Sequence, residues 1–182
     1  MTSVNRVQAG PILVGLMGSG KSSLGRRIAR MLNLPLIDLD DYIVAKAGCS
    51  IPEIFSQYGE AGFRAMETEA LREVIHKHAV IATGGGIIMS EENRELLKSN
   101  PPIIWLKACP EFLARRINGD KNRPLVAAGN TLNKLKELAK VRNPLYQECA
   151  NFHLPRDNMK KKEALDAIMQ FLSTWQNNGK NH

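Results

Sequence analysis

The sequence is poor in the residues that build disulfide frameworks, zinc sites and base-stacking surfaces. It has three cysteines, Cys49, Cys109 and Cys149, and none of them forms a CxxC pair. An odd, scattered set of cysteines fits neither a disulfide framework nor a zinc cage. Aromatic residues make up only 5% of the chain, which leaves no visible platform on which bases could stack. We therefore expect reduced, packing cysteines and no nucleic-acid partner.

Long apolar runs are missing as well. No stretch reaches the roughly 18 apolar residues that span a bilayer, so we expect no membrane partner. Residues 1–11 lack the apolar segment and small-residue cleavage site of a secretory signal, which predicts a cytoplasmic location. The net charge of +7 suits either nucleic acid or a pocket for anionic small molecules. Because the basic residues are spread along the chain, the pocket is favoured.

The length and the apolar pattern predict one α/β domain. A chain of 182 residues suits a single domain with a substantial core. Apolar runs of strand length alternate with stretches of helical period, which is typical of a parallel sheet covered by helices. The predicted strands are 12–14, 36–39, 80–82, 103–106 and 151–154. The predicted helices are 22–32, 41–47, 50–59, 61–78, 90–97, 110–117 and 163–171, followed by a frayed polar tail at 176–182.

A phosphate-binding loop is the most specific local signal. Residues Gly15 to Ser22 match the pattern G-x-x-x-x-G-K-[ST] between a predicted strand and a predicted helix. Its glycines let backbone N–H groups and the helix N-terminus face phosphates, while Lys21 reaches the β- and γ-phosphates. The alternative is a glycine-rich turn with a surface lysine, which the placement disfavours. The predicted nucleotide-binding residues are Gly18, Ser19, Gly20, Lys21, Ser22 and Ser23.

Two carboxylates follow the second predicted strand. Asp38 and Asp40 stand two residues apart, so a strand would direct both side chains to one face, near the edge where ligands bind. That arrangement suits one carboxylate near Mg²⁺ and one on an acceptor hydroxyl, but it is equally compatible with capping of the next helix. The third strand ends without the acidic residue that usually helps hold Mg²⁺. Asp38 is therefore the best candidate for that role.

Glycines and arginines supply the remaining signals. Gly84, Gly85 and Gly86 cost backbone entropy, so they indicate a place where a ligand approaches the main chain, although a plain flexible loop is the alternative. Several arginines in one cleft would imply an acceptor with its own carboxylate, whereas a single arginine is more often a solvated surface residue. The candidates are Arg64, Arg123 and Arg142. The polar segment 118–130 has the composition of a mobile lid.

Together these segments resemble the shikimate kinase family, whose members transfer the γ-phosphate of ATP to the 3-hydroxyl of shikimate, on the route to chorismate and the aromatic amino acids. The resemblance extends from Ile12 to about Phe171. It is carried, in the order of the family, by Gly-Leu-Met-Gly-Ser-Gly-Lys-Ser, Asp-Leu-Asp, Gly-Glu-Ala-Gly-Phe-Arg with Glu67, Thr-Gly-Gly-Gly, Asn-Arg-Pro-Leu and Arg-Asn-Pro-Leu-Tyr.

The resemblance implies a fold and a cofactor. The fold is the three-layer α/β/α P-loop NTPase fold of the nucleoside monophosphate kinase type, with a five-stranded parallel sheet. The cofactor is Mg²⁺, with Ser22 as a ligand and Asp38 as an outer-sphere partner. We expect a single domain and a monomer, with its core at 12–172 and its acceptor-binding region at about 40–66.

The resemblance also implies roles for single residues. Shikimate is expected to contact Asp40, Arg64, Gly84, Gly85, Gly86 and Arg142, with both arginines on its carboxylate. Arg123 resembles the residue that moves onto the transferring phosphate, and Arg116 resembles the residue that stacks on adenine. The expected catalytic residues are Lys21, Asp40 and Arg123. Three rivals remain: another small kinase, acting on gluconate or a nucleoside monophosphate; a nucleic-acid-binding or regulatory ATPase, which only the charge favours; and a binding module without chemistry, in which Lys21 would be idle.

Overall fold

The structure is a computed structural model, and it describes residues 10–117 and 130–179. Besides the strands and α-helices given next, the described residues contain a short 3₁₀-helix at Gly85–Met89. The strands are β1 Ile12–Val14, β2 Leu36–Asp38, β3 Val80–Ala82, β4 Ile103–Lys107 and β5 Phe152–Pro155. The helices are α1 Lys21–Leu32, α2 Leu39–Ala47, α3 Ile51–Val74, α4 Glu91–Lys98, α5 Pro110–Ile117, α6 Thr131–Cys149 and α7 Lys161–Gly179.

The strands form one parallel sheet in the order β2-β3-β1-β4-β5. Every residue of β1 is buried, as expected for a parallel strand that is covered on both faces. Ile12 and Val14 pack in one core cluster, whereas Leu13 packs in the other, because successive side chains of a strand point to opposite faces. The sheet therefore separates two apolar cores.

Helices cover both faces of the sheet. Leu24 and Ile28 of α1 and Ile168 of α7 pack in the core on one face. Ile43 of α2 and Leu71 of α3 pack in the core on the opposite face. The predicted three-layer α/β/α fold with a five-stranded parallel sheet is thus confirmed. Across residues 10–117 and 130–179, no helix is both long and apolar enough to cross a membrane.

The junction of β2 and α2 differs from the prediction. The strand ends at Asp38 and the helix begins at Leu39, because the Asp38 carboxylate caps the helix by accepting a hydrogen bond from the Asp41 N–H (3.2 Å). Asp40 therefore lies in the first turn of α2 and not on β2. The argument that both carboxylates share one strand face was wrong, and the capping alternative holds for Asp38.

Helix α3 is broken near its middle. The Ser50 hydroxyl caps its start by accepting from the Glu53 N–H (3.3 Å), as predicted. The predicted break at Gly59 is present, since this residue has φ 71° and ψ −180° inside the helix. The helix ends at Val74 instead of residue 78, because the exposed residues 76–78 offer no apolar side chain to continue its buried face.

The C-terminal part contains one helix that the sequence analysis did not predict. Helix α6 buries Leu135, Ala139, Arg142 and Tyr146 at helical spacing. An arginine in this stripe and Pro144 inside the helix obscure the pattern, because a charged residue and a proline both argue against a buried helix. The last helix is also longer than predicted. It begins at Lys161 and continues to Gly179, into the segment where a frayed tail was expected.

Candidate active site

The segments that follow β1, β2 and β3 meet at one edge of the sheet. Ala82, at the end of β3, is in register with Asp38 of β2 and with Leu13 of β1. In parallel sheets of this kind, ligands bind outside the carboxyl ends of the strands. A cavity of about 530 Å³ lies at this edge.

The cavity collects the residues that the sequence singled out. Ser19 is the exception among those described: it is 1% exposed, and its N–H donates to the Leu16 carbonyl (3.2 Å). Arg123 lies outside the described residues, as does the predicted lid apart from Asn130. The predicted residues that line the cavity are Gly18, Gly20, Lys21, Ser22, Ser23, Asp38, Asp40, Arg64, Gly84, Gly85, Gly86, Arg116 and Arg142.

One end of the cavity is built from main chain. Gly18 and Gly20 have φ of 84° and 98°, values that an L-residue with a side chain rarely adopts. Gly20 is also the N-cap residue of α1, where no side-chain hydrogen bond caps the helix. The first N–H groups of α1 are therefore available to an anion, and the helix dipole favours negative charge there.

Lys21 and Ser22 begin helix α1 and face the same end. The Lys21 ammonium group donates to the carbonyl oxygens of Gly15 and Leu16. The Ser22 hydroxyl donates to Asp38 Oδ2 at 2.5 Å, while Asp38 Oδ1 caps α2. Asp38 thus caps α2 through one carboxylate oxygen and contacts the phosphate loop through the other.

The oxygen atoms of Ser22 and Asp38 suit a hard divalent cation. A hydroxyl and a carboxylate are the ligand types that Mg²⁺ takes at phosphate sites, where substrate phosphates and water complete the octahedron. In the described part of the chain, no group of three or more His, Cys, Asp or Glu side chains is placed to hold a metal ion. The pair therefore fits a cation that arrives with a nucleotide.

The other end of the cavity is built from charged side chains. Arg64 Nη1 and Glu67 Oε1, one turn apart on α3, form an ion pair at 3.0 Å, and the Glu67 side chain is 1% exposed. Burial raises the pKa of Glu67 above its ordinary value of 4.5, and Asp40 adds to the rise, although Arg64 opposes it. Arg64 keeps 23% of its side-chain surface exposed, so this cation is both fixed and accessible.

The three glycines at 84–86 make room for these charges. A Cβ on Gly86 would lie 2.3 Å from Arg64 Nη1, and one on Gly85 would lie 3.2 Å from Arg142 Nη1. A Cβ on Gly84 would lie 3.1 Å from both Asp40 Oδ1 and Glu67 Oε2. Gly84 itself has an ordinary φ of −75°, and the 3₁₀-helix begins at Gly85. The segment is therefore not a plain flexible loop, and side-chain approach accounts for its glycines.

Helix α6 adds Arg142 and Tyr146 to this end. Arg142 is 4% exposed and Tyr146 is fully buried. The Tyr146 hydroxyl donates to the Gly85 carbonyl oxygen, and burial raises the pKa of Tyr146, so it stays neutral at physiological pH. Within the described residues, Arg142 Nη1 is buried without a hydrogen-bond partner. Buried polar atoms usually have one, so this nitrogen is a candidate anion contact.

Some lining residues received no role from the sequence. Glu67 stands three positions after Arg64 on a predicted helix, a spacing at which opposite charges pair, and this signal was available. Phe55 and Phe63 form an apolar wall, with ring centroids 4.9 Å apart. Their meeting depends on the break at Gly59, so the sequence pattern alone did not reveal it.

Comparisons with known proteins agree with this geometry. A family model described as shikimate kinase matches residues 17–173. A shikimate kinase of Neisseria meningitidis serogroup C is 42% identical over 163 residues, which cover 89% of this chain and 95% of that protein. A deoxyadenosine kinase from M. mycoides with bound dATP has 13% identity and a TM-score of 0.60, covering 90% of this chain and 99% of that one; this likeness concerns the fold alone.

A solved structure adds a likeness in three dimensions. The shikimate kinase from Acinetobacter baumannii in complex with shikimate has a TM-score of 0.85 and 38% identity, covering 93% of this chain and 94% of that one. The family predicted from the ordered motifs is thereby confirmed. The chain belongs to the shikimate kinase family.

Proposed function

We propose that this protein transfers the γ-phosphate of ATP to the 3-hydroxyl of shikimate, giving shikimate 3-phosphate and ADP for the synthesis of chorismate and aromatic amino acids. One observation carries the proposal: a single cavity joins a phosphate loop to two arginines, Arg64 and Arg142, and to the carboxylates of Asp40 and Glu67. Membership of the shikimate kinase family supports it. The proposed active unit is a monomer, and the proposed location is the cytoplasm.

The loop end of the cavity binds the nucleotide. The amides that begin α1 hold the β- and γ-phosphates, and Lys21 stabilises the charge that develops on the transferring group. Ser22 would hold Mg²⁺, with Asp38 as an outer-sphere partner, and the bound cation would supply positive charge that neutralises the phosphates. Arg116, whose Cζ lies 5.6 Å from the Phe112 ring centroid, stacks on the adenine.

The charged end binds the acceptor alcohol. Arg64 and Arg142 pair with the shikimate carboxylate, an anion that suits the fork of a guanidinium group. Glu67 keeps Arg64 in position through their ion pair at 3.0 Å. Phe55 and Phe63 provide an apolar surface for the carbon ring. Acceptor affinity therefore depends on the carboxylate, which gluconate shares, and on the ring, which gluconate lacks.

Asp40 orients the reacting hydroxyl. As the new bond forms between the 3-hydroxyl oxygen and the γ-phosphorus, the bond to the β–γ bridging oxygen breaks and ADP leaves. Asp40 accepts the proton of the hydroxyl. Because phosphoryl transfer depends mainly on positioning and charge stabilisation, the close approach of Gly84 to Asp40 (3.1 Å from a Cβ on Gly84 to Oδ1) is part of the catalytic geometry.

A coupled assay of ADP release tests the function. The enzyme is supplied with ATP and Mg²⁺ and with shikimate, gluconate, a nucleoside monophosphate or no acceptor. Of these four conditions, we expect rapid ADP release only in the one that contains shikimate. We expect Lys21→Ala to lose this shikimate-dependent release. Release that is independent of the acceptor, or faster with gluconate or the nucleotide, would contradict the proposal.

A further inference from the structure

Arg156 is a buried cation beside the phosphate loop, and none of the predicted functional roles was assigned to it. Its relative exposure is 2%, among the lowest of the large side chains described. It follows β5 directly, at the same edge of the sheet as the loop, and its N–H donates to the Lys107 carbonyl oxygen (2.7 Å). The backbone therefore fixes where its side chain begins.

Among the residues that the structure describes, no carboxylate pairs with the guanidinium group of Arg156. Its Nη1 donates to the Met159 carbonyl oxygen at 3.3 Å, and its Nε is buried without a partner among the described residues. Asp157, the next residue, instead accepts a hydrogen bond from the Cys109 N–H (2.8 Å). Burying a charge without a counter-ion costs free energy, so we expect this arginine to lower the stability of the ligand-free protein.

Further cations surround Arg156. Burial and the charge of Arg116 lower its pKa. Burial also lowers the pKa of Lys161, and Arg27, Arg116 and Arg156 add to that effect. Like charges that are brought together in this way repel one another, which adds to the cost of burial. Such a cluster becomes favourable when an anion binds beside it.

The cluster adjoins the loop at Gly20. Arg156 Nη2 and Arg116 Nη2 each lie 3.8 Å from the position that a Cβ on Gly20 would occupy. Gly20 caps α1, whose N-terminus carries the positive end of the helix dipole. The two guanidinium groups thus lie close to the residue that begins α1.

We propose that Arg156 binds the phosphate of the nucleotide that lies next to the nucleoside, while Arg116 stacks on the adenine, and that nucleotide binding offsets the cost of burying Arg156. The inference rests on the proposed function, because it takes the loop to hold ATP. It assigns Lys21 to the terminal phosphates and the β5 side to the inner phosphate. Arg156 is then a nucleotide-binding residue whose removal leaves acceptor binding unchanged.

The test compares Arg156→Gln with wild type and with Arg115→Gln, an exposed arginine on α5 that carries the same change of charge. Calorimetry with MgADP, in the absence of shikimate, is expected to show about tenfold to hundredfold weaker binding in Arg156→Gln only, the range for a lost hydrogen bond to a charged group. Shikimate affinity is expected to stay the same. Arg156→Lys, which keeps the charge, is expected to recover part of the ADP affinity.

A second measurement separates this role from a structural one. The melting temperature of ligand-free Arg156→Gln is expected to equal or exceed that of wild type, and MgADP is expected to raise it by less. A variant that melts lower or fails to fold would overturn the inference, because Arg156 would then stabilise the free protein. Unaltered ADP affinity would overturn it too. Inorganic phosphate is the third ligand to compare. If Arg156→Gln removed the increase in melting temperature caused by inorganic phosphate but not the increase caused by MgADP, the cluster would bind free anions and the nucleotide assignment would be wrong.

Failure of this inference can be distinguished from failure of the proposed function. Wild-type enzyme that released no ADP in the presence of shikimate would refute the proposed function, whatever the affinity of Arg156→Gln for ADP. A full shikimate-dependent activity in wild type, combined with normal ADP affinity in the variant, would refute the role of Arg156 alone.

Discussion

The two ends of the cavity are built on different principles. The phosphate end is mostly backbone, with Gly18 and Gly20 in conformations that few other residues adopt and with a helix N-terminus that lacks a side-chain cap. The acceptor end is mostly side chain, with Arg64, Glu67 and Arg142 packed against glycines. Backbone recognition tolerates changes nearby as long as the loop keeps its shape, whereas side-chain recognition depends on contacts between distant segments.

The largest expected effect comes from a substitution that changes the phosphate end of the cavity and leaves the acceptor end intact. Lys21→Ala is expected to lower kcat by about 10² to 10³, the usual loss when one charge-stabilising contact is removed. Shikimate affinity, measured by calorimetry, is expected to change little because the arginines lie at the other end. Lys98→Ala, an exposed lysine of α4, is the control. A Lys21→Ala enzyme with near wild-type kcat would contradict the assignment of the loop.

A single added methyl group is expected to disrupt the acceptor end of the cavity and to lower activity with shikimate. In Gly86→Ala the new Cβ would lie 2.3 Å from Arg64 Nη1, so the guanidinium group must move. A displacement of about 1 Å in a positioning residue costs about 10² in catalysis, and we expect that loss in kcat/KM for shikimate with MgADP affinity unchanged.

Gly48→Ala is the matched control for that change. A Cβ at Gly48 meets no atom within 4 Å, but its φ of +74° strains any other residue. This variant is expected to lose about 1 kcal/mol of stability, because a side chain disfavours the left-handed conformation, and to keep its kinetic constants. If Gly86→Ala behaved in the same way, stability and not the position of Arg64 would explain its phenotype.

Removing Arg142 tests how far the two ends are independent. Arg142→Ala is expected to weaken shikimate binding about tenfold to hundredfold, since a hydrogen bond between charged groups is lost, while MgADP binds normally. Arg72→Ala removes an arginine of α3 that is paired on the surface with Glu92, and it is expected to have no effect on either ligand. Equal weakening of both ligands by Arg142→Ala would show that the ends are coupled.

The smallest expected effect is a pH dependence. Burial raises the pKa of Glu67 above 4.5, so the folded protein keeps the proton of Glu67 to a higher pH than the unfolded chain. The stability due to this proton is present at low pH and is lost as the pH rises through the folded-state pKa. The Gln side chain has no such proton. The unfolding free energy of Glu67→Gln relative to wild type is therefore expected to increase above pH 4.5, by at most about 1.4 kcal/mol per pH unit.

Urea denaturation between pH 4 and pH 8 measures this trend. Glu69→Gln, whose carboxylate is 62% exposed on the same helix, serves as the control for removing a carboxylate from α3. A flat profile for Glu67→Gln would show that the pKa of the buried carboxyl is not raised.

The contrast between the ends also explains what the sequence could predict. The phosphate loop is continuous, so its strand, glycines, lysine and helix are all visible in eight neighbouring residues. The five strands were found for a similar reason, since each is a short, mostly apolar run. The bounds of β2 were wrong because the Asp38 cap competes with the strand, and a local apolar pattern does not register that competition.

The acceptor end was harder to predict from the residues themselves. Arg64 and Arg142 were candidates only as single cations, and their joint role came from the resemblance to a family. Helix α6 was missed because its buried stripe includes Arg142 and because Pro144 interrupts it. Arg156 received no role, because nothing in its local sequence indicates that its side chain is 2% exposed.

The break at Gly59 has a consequence for how acceptor choice can change. A straight helix of 24 residues would be about 36 Å long, and residues far apart along it could not share a small cavity. Because α3 bends, Ile51 and Phe55 of its first half and Arg64 of its second half line the same space. Substitutions in the first half can therefore reshape the wall for alcohols of another size, while the carboxylate anchor in the second half stays in place.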